Sequence, residues 1–259
     1  MSNRTRAVRF LITAGPTIED IDPVRFISNR ATGKLGVEIA RAAVQRRHNV
    51  MLVHGPLSES VLQSLPRSPR FKAFAVRSAA QMHAAVMKRV ARADVVIMNA
   101  AVADFTPAQT AQTKVKKTGA SLSLRLKPTL DILKALGQLK QAQGAKARLS
   151  SRQRDGANTS VAPRALTLIG FALETGEGKT AAQRRRAQLA EATRKLNAKN
   201  LDAIVLDTPH AMGAQSADFT IVYRDGRSQR FPKLSKAALA EVLVAVSEGF
   251  CCAARPSRP

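Results

Sequence analysis

The stretch LITAGPTIEDIDPVRFISNRATGKLG, residues 11–36, predicts a strand, a long irregular loop and a helix in succession. Residues 8–13 are short and apolar, as a buried strand requires, and the turn-forming residues 15–17 end it. Because a rigid scaffold commonly carries its functional residues on loops, we expect the long loop to be functional. Residues 33–36 open the following apolar run with helical spacing, which consists of Val37, Ile39, Ala40, Ala43 and Val44.

Two standard phosphate-binding motifs do not fit this loop. A Walker A motif would have glycine where Ser28 stands and a hydroxyl residue where Leu35 stands. A dinucleotide-binding turn is compact, whereas Gly15 and Gly33 are separated by a whole loop. The start of the helix can still bind a phosphate or carboxylate through its free N–H groups. The glycines also have a purely structural interpretation, in which they let the helix pack closely on the sheet.

The rest of the chain alternates between predicted strands and helices. This alternation predicts an α/β fold with a Rossmann-like, doubly wound, mostly parallel sheet and helices on both faces. Ligands of such sheets bind at the carboxyl ends of the strands, where we expect Asn99, Phe171 and the first loop. Strands are predicted at residues 50–53, 71–76, 95–99, 166–172 and 203–206, helices at 78–92, capped by Ser78, and at 178–198, and a hairpin followed by a helix at 218–248.

Residues 113–127 interrupt this pattern with a predicted flap. Within it, Leu122, Leu124 and Leu126 alternate with polar residues, which is typical of a half-exposed β-arm. The arm could serve as a flap over the site or as a dimer contact.

Residues 138–165 are polar, basic and rich in loop-forming residues, and we interpret them as a flexible insertion. We therefore predict one domain over residues 1–259. With 45% hydrophobic residues the chain can bury a substantial core. It has no apolar run of the ~18 residues that a membrane span needs, and its first strand begins too early for a signal peptide. We expect a soluble, cytoplasmic protein without a membrane partner.

The net charge of +24 is compatible with a polyanionic substrate, a basic solvated surface or a nucleic-acid partner. An aromatic content of 4% with no tryptophan leaves few stacking platforms, so specific nucleic-acid binding is disfavoured. Cys251 and Cys252 are adjacent and are interpreted as bystanders. The four histidines lack the spacing of a zinc site.

Five segments together resemble a known family. The first loop, GPTIEDIDPVRFISNRATGKLG, is followed by NAAVADF at 99–105, KVKK at 114–117, GFALET at 170–175 and KNLD at 199–202. In this order they resemble phosphopantothenoylcysteine synthetase of the bacterial type, a ligase of coenzyme A biosynthesis.

The resemblance implies a two-step reaction. The carboxylate of 4'-phosphopantothenate attacks the α-phosphate of a nucleoside triphosphate, and the amine of L-cysteine then displaces the nucleoside monophosphate. Such chemistry needs positioning and charge stabilisation rather than a protein nucleophile.

The resemblance also implies roles for single residues. Asn29 would contact the acyl intermediate and Lys114 would be the second catalytic residue. Asp104 would lie near the ribose or a magnesium ion. The sequence around Leu130, KPTLDIL, departs from the family's commoner NPDI. Arg25, Asn29, Gly33 and Lys34 would form the pantothenate side, and Met98, Asn99, Ala100, Asp104, Lys114, Leu130, Asp131, Ile132, Leu133, Phe171, Lys195 and Lys199 would bind the nucleotide.

Lys195 and Lys199 are four residues apart on a predicted helix, and on one face like charges repel unless an anion lies between them. The bacterial-type loop implies CTP as the donor, with ATP the alternative, together with Mg²⁺. The motif begins within the first dozen residues, so we expect a stand-alone ligase without flavin, and family members imply a homodimer. A Rossmann-type oxidoreductase and a basic nucleic-acid-binding protein remain the alternatives.

Overall fold

The computed structural model describes residues 7–117, 119, 121–152, 165–174, 177–207 and 216–253, with the backbone alone for 147–152 and 253. Within these residues the strands are β1 (Arg9–Ala14), β2 (Ile18–Asp20), β3 (Phe26–Ser28), β4 (Asn49–His54), β5 (Phe71–Ala75), β6 (Val95–Met98), β7 (Phe105–Pro107), β8 (Leu126–Pro128), β9 (Thr167–Leu173), β10 (Ala203–Asp207), β11 (Ser216–Tyr223) and β12 (Ser228–Ser235). The helices are α1 (Lys34–Gln45), α2 (Glu59–Gln63), α3 (Ala79–Met87), α4 (Ile132–Arg152), α5 (Ala181–Ala198) and α6 (Lys236–Ala253), with a 3-10 turn at Val90–Arg92.

Eight strands form one sheet in the order β12-β11-β10-β9-β6-β1-β4-β5. The strands from β10 to β5 are parallel, while β11 and β12 add an antiparallel edge. β2 pairs with β3 and β7 with β8 in two small antiparallel pairs outside this sheet. The predicted mostly parallel, doubly wound α/β fold is therefore confirmed.

The central strand β1 shows why both faces of the sheet carry helices. All its residues after Arg9 are buried, as expected for a strand covered on both faces. Phe10 packs in the cluster that contains Ile39 of α1 and residues of α6, whereas Leu11 packs in the cluster with Met82 of α3 and residues of α5. Successive residues of one strand thus contribute to two hydrophobic layers.

The predicted helix start and terminal hairpin are also confirmed. The Ser78 hydroxyl accepts a hydrogen bond from the Gln81 N–H, and Gln81 reciprocates, forming a capping box. β11 and β12 form the hairpin that was predicted to precede the last helix, and Val222 is buried at 4% exposure. Phe231 packs against the hydrophobic core, so this hairpin completes the core.

The predicted flexible insertion is wrong for residues 138–152. These residues form the second part of α4, which continues to Arg152. The low hydrophobicity that suggested a loop instead reflects a largely solvent-exposed helix made of good helix formers such as Ala, Gln, Lys and Arg. Residues 153–164 lie outside the described part of the chain.

The predicted β-arm is regular only at β8, where Leu126–Pro128 pairs with Phe105–Pro107. Residues 121–125 carry no regular strand in the structure, and Leu122 and Leu124 are exposed at 60% and 37%. The apolar side of the arm is therefore not covered by the described part of the same chain. None of the described helices combines the length and apolarity that a membrane crossing requires.

Candidate active site

A cavity of about 530 Å³ lies at the carboxyl ends of β1, β6, β9 and β10. This is the edge of the sheet at which parallel α/β folds bind ligands. Its walls come from the first loop and the start of α1, the loop after β6, the start of α4, the end of β9 and the end of β10. The predicted site residues that line it are Asn29, Gly33, Lys34, Met98, Asn99, Ala100, Asp104, Leu130, Asp131, Ile132, Leu133, Phe171 and Lys199.

The first loop is fixed to the loop after β6 by backbone hydrogen bonds. The N–H of Ala101 donates to the carbonyl of Gly15 at 3.0 Å, and the N–H of Thr17 donates to the carbonyl of Ala101 at 3.3 Å. The buried Thr17 hydroxyl also accepts a hydrogen bond from the Ala103 N–H at 2.9 Å. Two separate predicted motifs therefore form one continuous wall of the cavity.

Two glycines of the first motif allow α1 to approach the sheet. A Cβ at Gly36 would lie 2.5 Å from the Cβ of Ala14, closer than packed carbons approach. Gly33, the N-cap of α1, has φ 77°, a left-handed conformation that favours glycine. The glycines thus let the helix pack closely on the sheet, and the same packing brings Gly33 and Lys34 to the cavity wall.

Asn29 extends from the first loop to the loop after β6. Its Nδ2 donates to the carbonyl oxygen of Ala101 at 3.0 Å. A primary amide nitrogen carries two hydrogens, so one bond to Ala101 leaves a second hydrogen that a ligand oxygen can accept. The geometry is that of an anchored hydrogen-bond donor on the cavity wall.

Lys199 and Asp131 form an ion pair at the cavity. The Lys199 Nζ lies 3.0 Å from Asp131 Oδ2. Burial raises the pKa of Asp131, but the Lys134 N–H and the Lys199 ammonium outweigh it, so the net shift is downward. The Asp131 carboxylate is consequently ionised at neutral pH, and its contact with Lys199 holds that lysine on the wall.

Lys199 lies one helical turn after Lys195, and its N–H donates to the carbonyl of Lys195 at 3.0 Å, but the two ammonium groups have different partners. α5 ends at Ala198, and Lys199 is its C-cap with φ −103° and ψ 9°. Lys195 instead contacts Glu174 at 2.5 Å and Glu191 at 3.7 Å. Of the two lysines, only Lys199 is among the described lining residues.

Two further predicted residues, Arg25 and Lys114, are not among the lining residues of the described chain. The guanidinium of Arg25 pairs with Asp22 and donates to the carbonyl of Val115 at 2.7 Å. Lys114 is exposed on the flap. The catalytic lysine suggested by the resemblance therefore lies on a segment that is bonded to the first loop through Val115.

Lys236 and Asp207 are lining residues that the sequence-based prediction missed. Burial lowers the pKa of Lys236, the nearby Lys34 ammonium lowers it further, and Asp207 opposes both. Asp207 is the last residue of β10, so the carboxyl-end rule could have identified it. Lys236 begins α6, far along the chain, and no local motif indicates it.

Three carboxylates, those of Asp104, Asp131 and Asp207, line the cavity. Among the described residues, no group of three or more His, Cys, Asp or Glu side chains is placed to hold a metal ion. A magnesium ion here would fit the usual mode in which Mg²⁺ binds through one or two carboxylates together with substrate phosphates.

A close helix contact positions Lys199, and a single substitution tests it. A Cβ at Gly137 of α4 would lie 2.1 Å from the carbonyl oxygen of Lys199. We expect Gly137→Ala to lower the free energy of unfolding by about 1–3 kcal/mol, because backbone must move to admit the methyl group. Chemical denaturation measures this change.

Gly144→Ala on the same helix is the matched control. Nothing lies within 4 Å of a Cβ at Gly144. This substitution should therefore raise stability by up to about 1 kcal/mol through helix propensity alone. Equal effects at both positions would show that α4 does not pack on Lys199 as described.

Comparisons with known proteins place the chain in a family. The model of the "DNA/pantothenate metabolism flavoprotein C-terminal domain" family matches residues 5–148 and 156–248. The Coenzyme A biosynthesis bifunctional protein CoaBC of Bacillus subtilis strain 168 is 38% identical over 230 residues, covering 87% of this chain and 47% of that protein. The chain thus spans about half the length of this curated relative.

Two solved structures agree with the fold. The crystal structure of the C-terminal domain of a CoaBC protein is 32% identical and has a TM-score of 0.68, covering 96% of this chain and 97% of that domain. The DNA/pantothenate metabolism flavoprotein from Streptococcus pneumoniae, at 20% identity, has a TM-score of 0.73 and covers 94% and 100%. By sequence and by fold, the chain belongs to the family of the DNA/pantothenate metabolism flavoprotein C-terminal domain.

Proposed function

We propose that this chain is a phosphopantothenate–cysteine ligase. A carboxylate oxygen of 4'-phosphopantothenate attacks the α-phosphorus of a nucleoside triphosphate, and the bond to pyrophosphate breaks. The amine nitrogen of L-cysteine then attacks the acyl carbon, the bond to the nucleoside monophosphate breaks, and the ammonium proton passes to solvent. The products are the amide, pyrophosphate and the nucleoside monophosphate.

The observation that carries this proposal is the convergence of Asn29, Lys34 and Lys199 on one cavity. They come from the beginning and the late part of the chain, and each matches a motif of the resemblance. Cationic side chains and an amide donor suit the binding of a phosphorylated substrate and a triphosphate. Both steps develop negative charge that fixed donors and lysines stabilise, and no covalent enzyme intermediate is needed.

The nucleotide is proposed to lie between the loop after β6 and the start of α4. Phe171 and the Leu130–Leu133 segment would contact the base and ribose, and Lys199 would contact the phosphates. Lys195 would take part only after exchanging Glu174 for a phosphate oxygen. Mg²⁺ would bind the triphosphate with Asp104. We propose CTP as the donor because the first loop has the bacterial-type sequence.

The pantothenate side is proposed at Asn29, Gly33 and Lys34. The amide of Asn29 would donate its second hydrogen to the acyl oxygen of the intermediate. Lys114 would approach from the flap, as a mobile element that closes over a site excludes water during the reaction. The chain would act as a cytoplasmic homodimer. In the dimer, Arg25 and the flap would lie near the pantothenate pocket of the partner subunit.

A pyrophosphate-release assay tests the function. The full chain is incubated with 4'-phosphopantothenate, L-cysteine and Mg²⁺, and with CTP or ATP in turn. We expect release that requires 4'-phosphopantothenate and is faster with CTP. No release with either triphosphate would remove the ligase assignment, and faster release with ATP would overturn the donor alone.

A further inference from the structure

Asp22 is a fully buried carboxylate at the turn between β2 and β3. Its Oδ1 accepts hydrogen bonds from the backbone N–H groups of Val24 and Arg25, both at 2.8 Å. Its Oδ2 accepts from Nε of Arg25 at 3.0 Å and from Nη2 at 2.5 Å. Arg25 and these N–H groups outweigh burial and hold the pKa of Asp22 well below its ordinary value, so the group is ionised.

The same ion pair also binds the flap. Oδ2 of Asp22 accepts a hydrogen bond from the N–H of Val115 at 3.1 Å, and Nη2 of Arg25 donates to the carbonyl of Val115 at 2.7 Å. Both polar backbone atoms of one flap residue are therefore bound by one Asp–Arg pair. Such pairing imitates the contact of a neighbouring strand, and its charged partners make it stronger than a neutral backbone pair.

The segment just before the flap is bonded to the end of β2 and the residue after it. The N–H of Ala111 donates to the carbonyl of Ile21 at 2.9 Å, and the hydroxyl of Thr110 donates to the carbonyl of Asp20 at 3.1 Å. Val115 is half-buried, whereas its neighbours Lys114 and Lys116 are exposed. The contacts at Val115 thus fix the backbone next to Lys114 while leaving the lysine side chain exposed.

From this geometry we propose that Asp22 and Arg25 form a latch that holds the flap at Val115 and thereby positions Lys114. The positioning role rests on the proposed function, in which Lys114 acts in formation of the acyl-nucleotide. Asp22 contacts no substrate in this account and acts through the flap. Arg25 has the same role within its own chain, in addition to any contact with pantothenate.

The latch itself is tested without substrate, by amide hydrogen exchange of the full chain. Asp22→Asn removes the carboxylate charge and replaces one acceptor oxygen with an NH₂ group. We expect exchange at the Val115 amide to become about tenfold faster, because a hydrogen bond to a charged group is lost. Asp20→Asn is the control, since Asp20 lies on the same hairpin but pairs with Arg77. Unchanged exchange at Val115 in Asp22→Asn would overturn the latch.

The positioning role is tested by a double-mutant cycle with Lys114→Gln. Alone, Asp22→Asn should slow acyl-nucleotide formation about tenfold, and in the Lys114→Gln background it should have an effect of at most about twofold. A purely structural role predicts that the two effects multiply, and that result would overturn positioning. Arg25→Lys, which keeps the charge but loses the planar fork, should show the same coupling if Asp22→Asn fails to fold.

If the unsubstituted chain releases no pyrophosphate, the proposed function and the positioning role fall together, whereas the exchange result still decides the latch.

Discussion

Replacing Asn29 by Asp is expected to lower the rate of amide formation by about 10²–10³-fold, the usual effect of losing one fixed donor to a developing oxyanion. The substitution removes both hydrogens of Nδ2. It also places a carboxylate oxygen opposite the carbonyl of Ala101, to which Asn29 donates at 3.0 Å. The side chain should therefore turn away from the wall, and the second step should lose its donor.

The measurement is a quench-flow separation of the two steps. Pyrophosphate should still be released in the first turnover, and acyl-nucleotide should accumulate because cysteine attack is slow. Asn49→Asp, an exposed substitution at the start of β4, is the control and should behave like the unsubstituted chain. Unimpaired second-step turnover in Asn29→Asp would exclude Asn29 as the donor.

Replacing Lys114 by Gln is expected to slow formation of the acyl-nucleotide by about 10²-fold. A unit charge about 4 Å from a phosphate oxygen is worth about 4 kcal/mol at an effective dielectric of about 20, and solvent exposure of the flap reduces this. Glutamine has a side chain of nearly the same length as lysine, and the substitution removes the positive charge. The first step, rather than cysteine attack, should be affected.

Pyrophosphate release without cysteine measures this effect directly. Lys72→Gln removes a lysine charge from the exposed edge strand β5, away from the cavity, and should leave the rate within about twofold. If Lys114→Gln formed acyl-nucleotide as fast as the Lys72→Gln control, the flap lysine would have no part in the first step.

The fold was predictable because its central strands carry continuous apolar runs. A parallel sheet covered on both faces buries every residue of a strand such as β1, and the sequence of β6, VVIM, has the same character. Short strands separated by helical patterns then leave few alternative topologies. The predicted strand ends differ from the observed ones by at most one residue, whereas the helix predicted over 78–92 ends at Met87 and the helix predicted over 178–198 begins at Ala181.

The second part of α4 was not predictable in the same way. Residues 138–152 are mostly exposed where their side chains are described, so no apolar stripe marks the helix. A helix of this kind is stabilised by its own propensity and by continuity with the buried start at Ile132 and Leu136. Composition alone does not separate such a helix from a basic loop.

The site was predictable where a motif is continuous in sequence. Asn29, Asn99 and Asp131 each lie within or next to a strand-end motif, and the sheet brings those ends together. Lys236 lies in no such motif, and its position depends on how the terminal hairpin folds back. Lys195 pairs with Glu174 and Glu191 and is not among the described lining residues, and helical spacing alone does not show which carboxylates lie near a lysine.

A single-turnover experiment without cysteine tests the central claim most directly. The chain is mixed in excess over 4'-phosphopantothenate with CTP and Mg²⁺, and pyrophosphate and acyl-cytidylate are quantified. We expect one pyrophosphate and one acyl-cytidylate per 4'-phosphopantothenate, followed by conversion of the acyl-cytidylate to amide and CMP when cysteine is added. Pyrophosphate release that occurs only in the presence of cysteine, or release without acyl-cytidylate, would contradict the account.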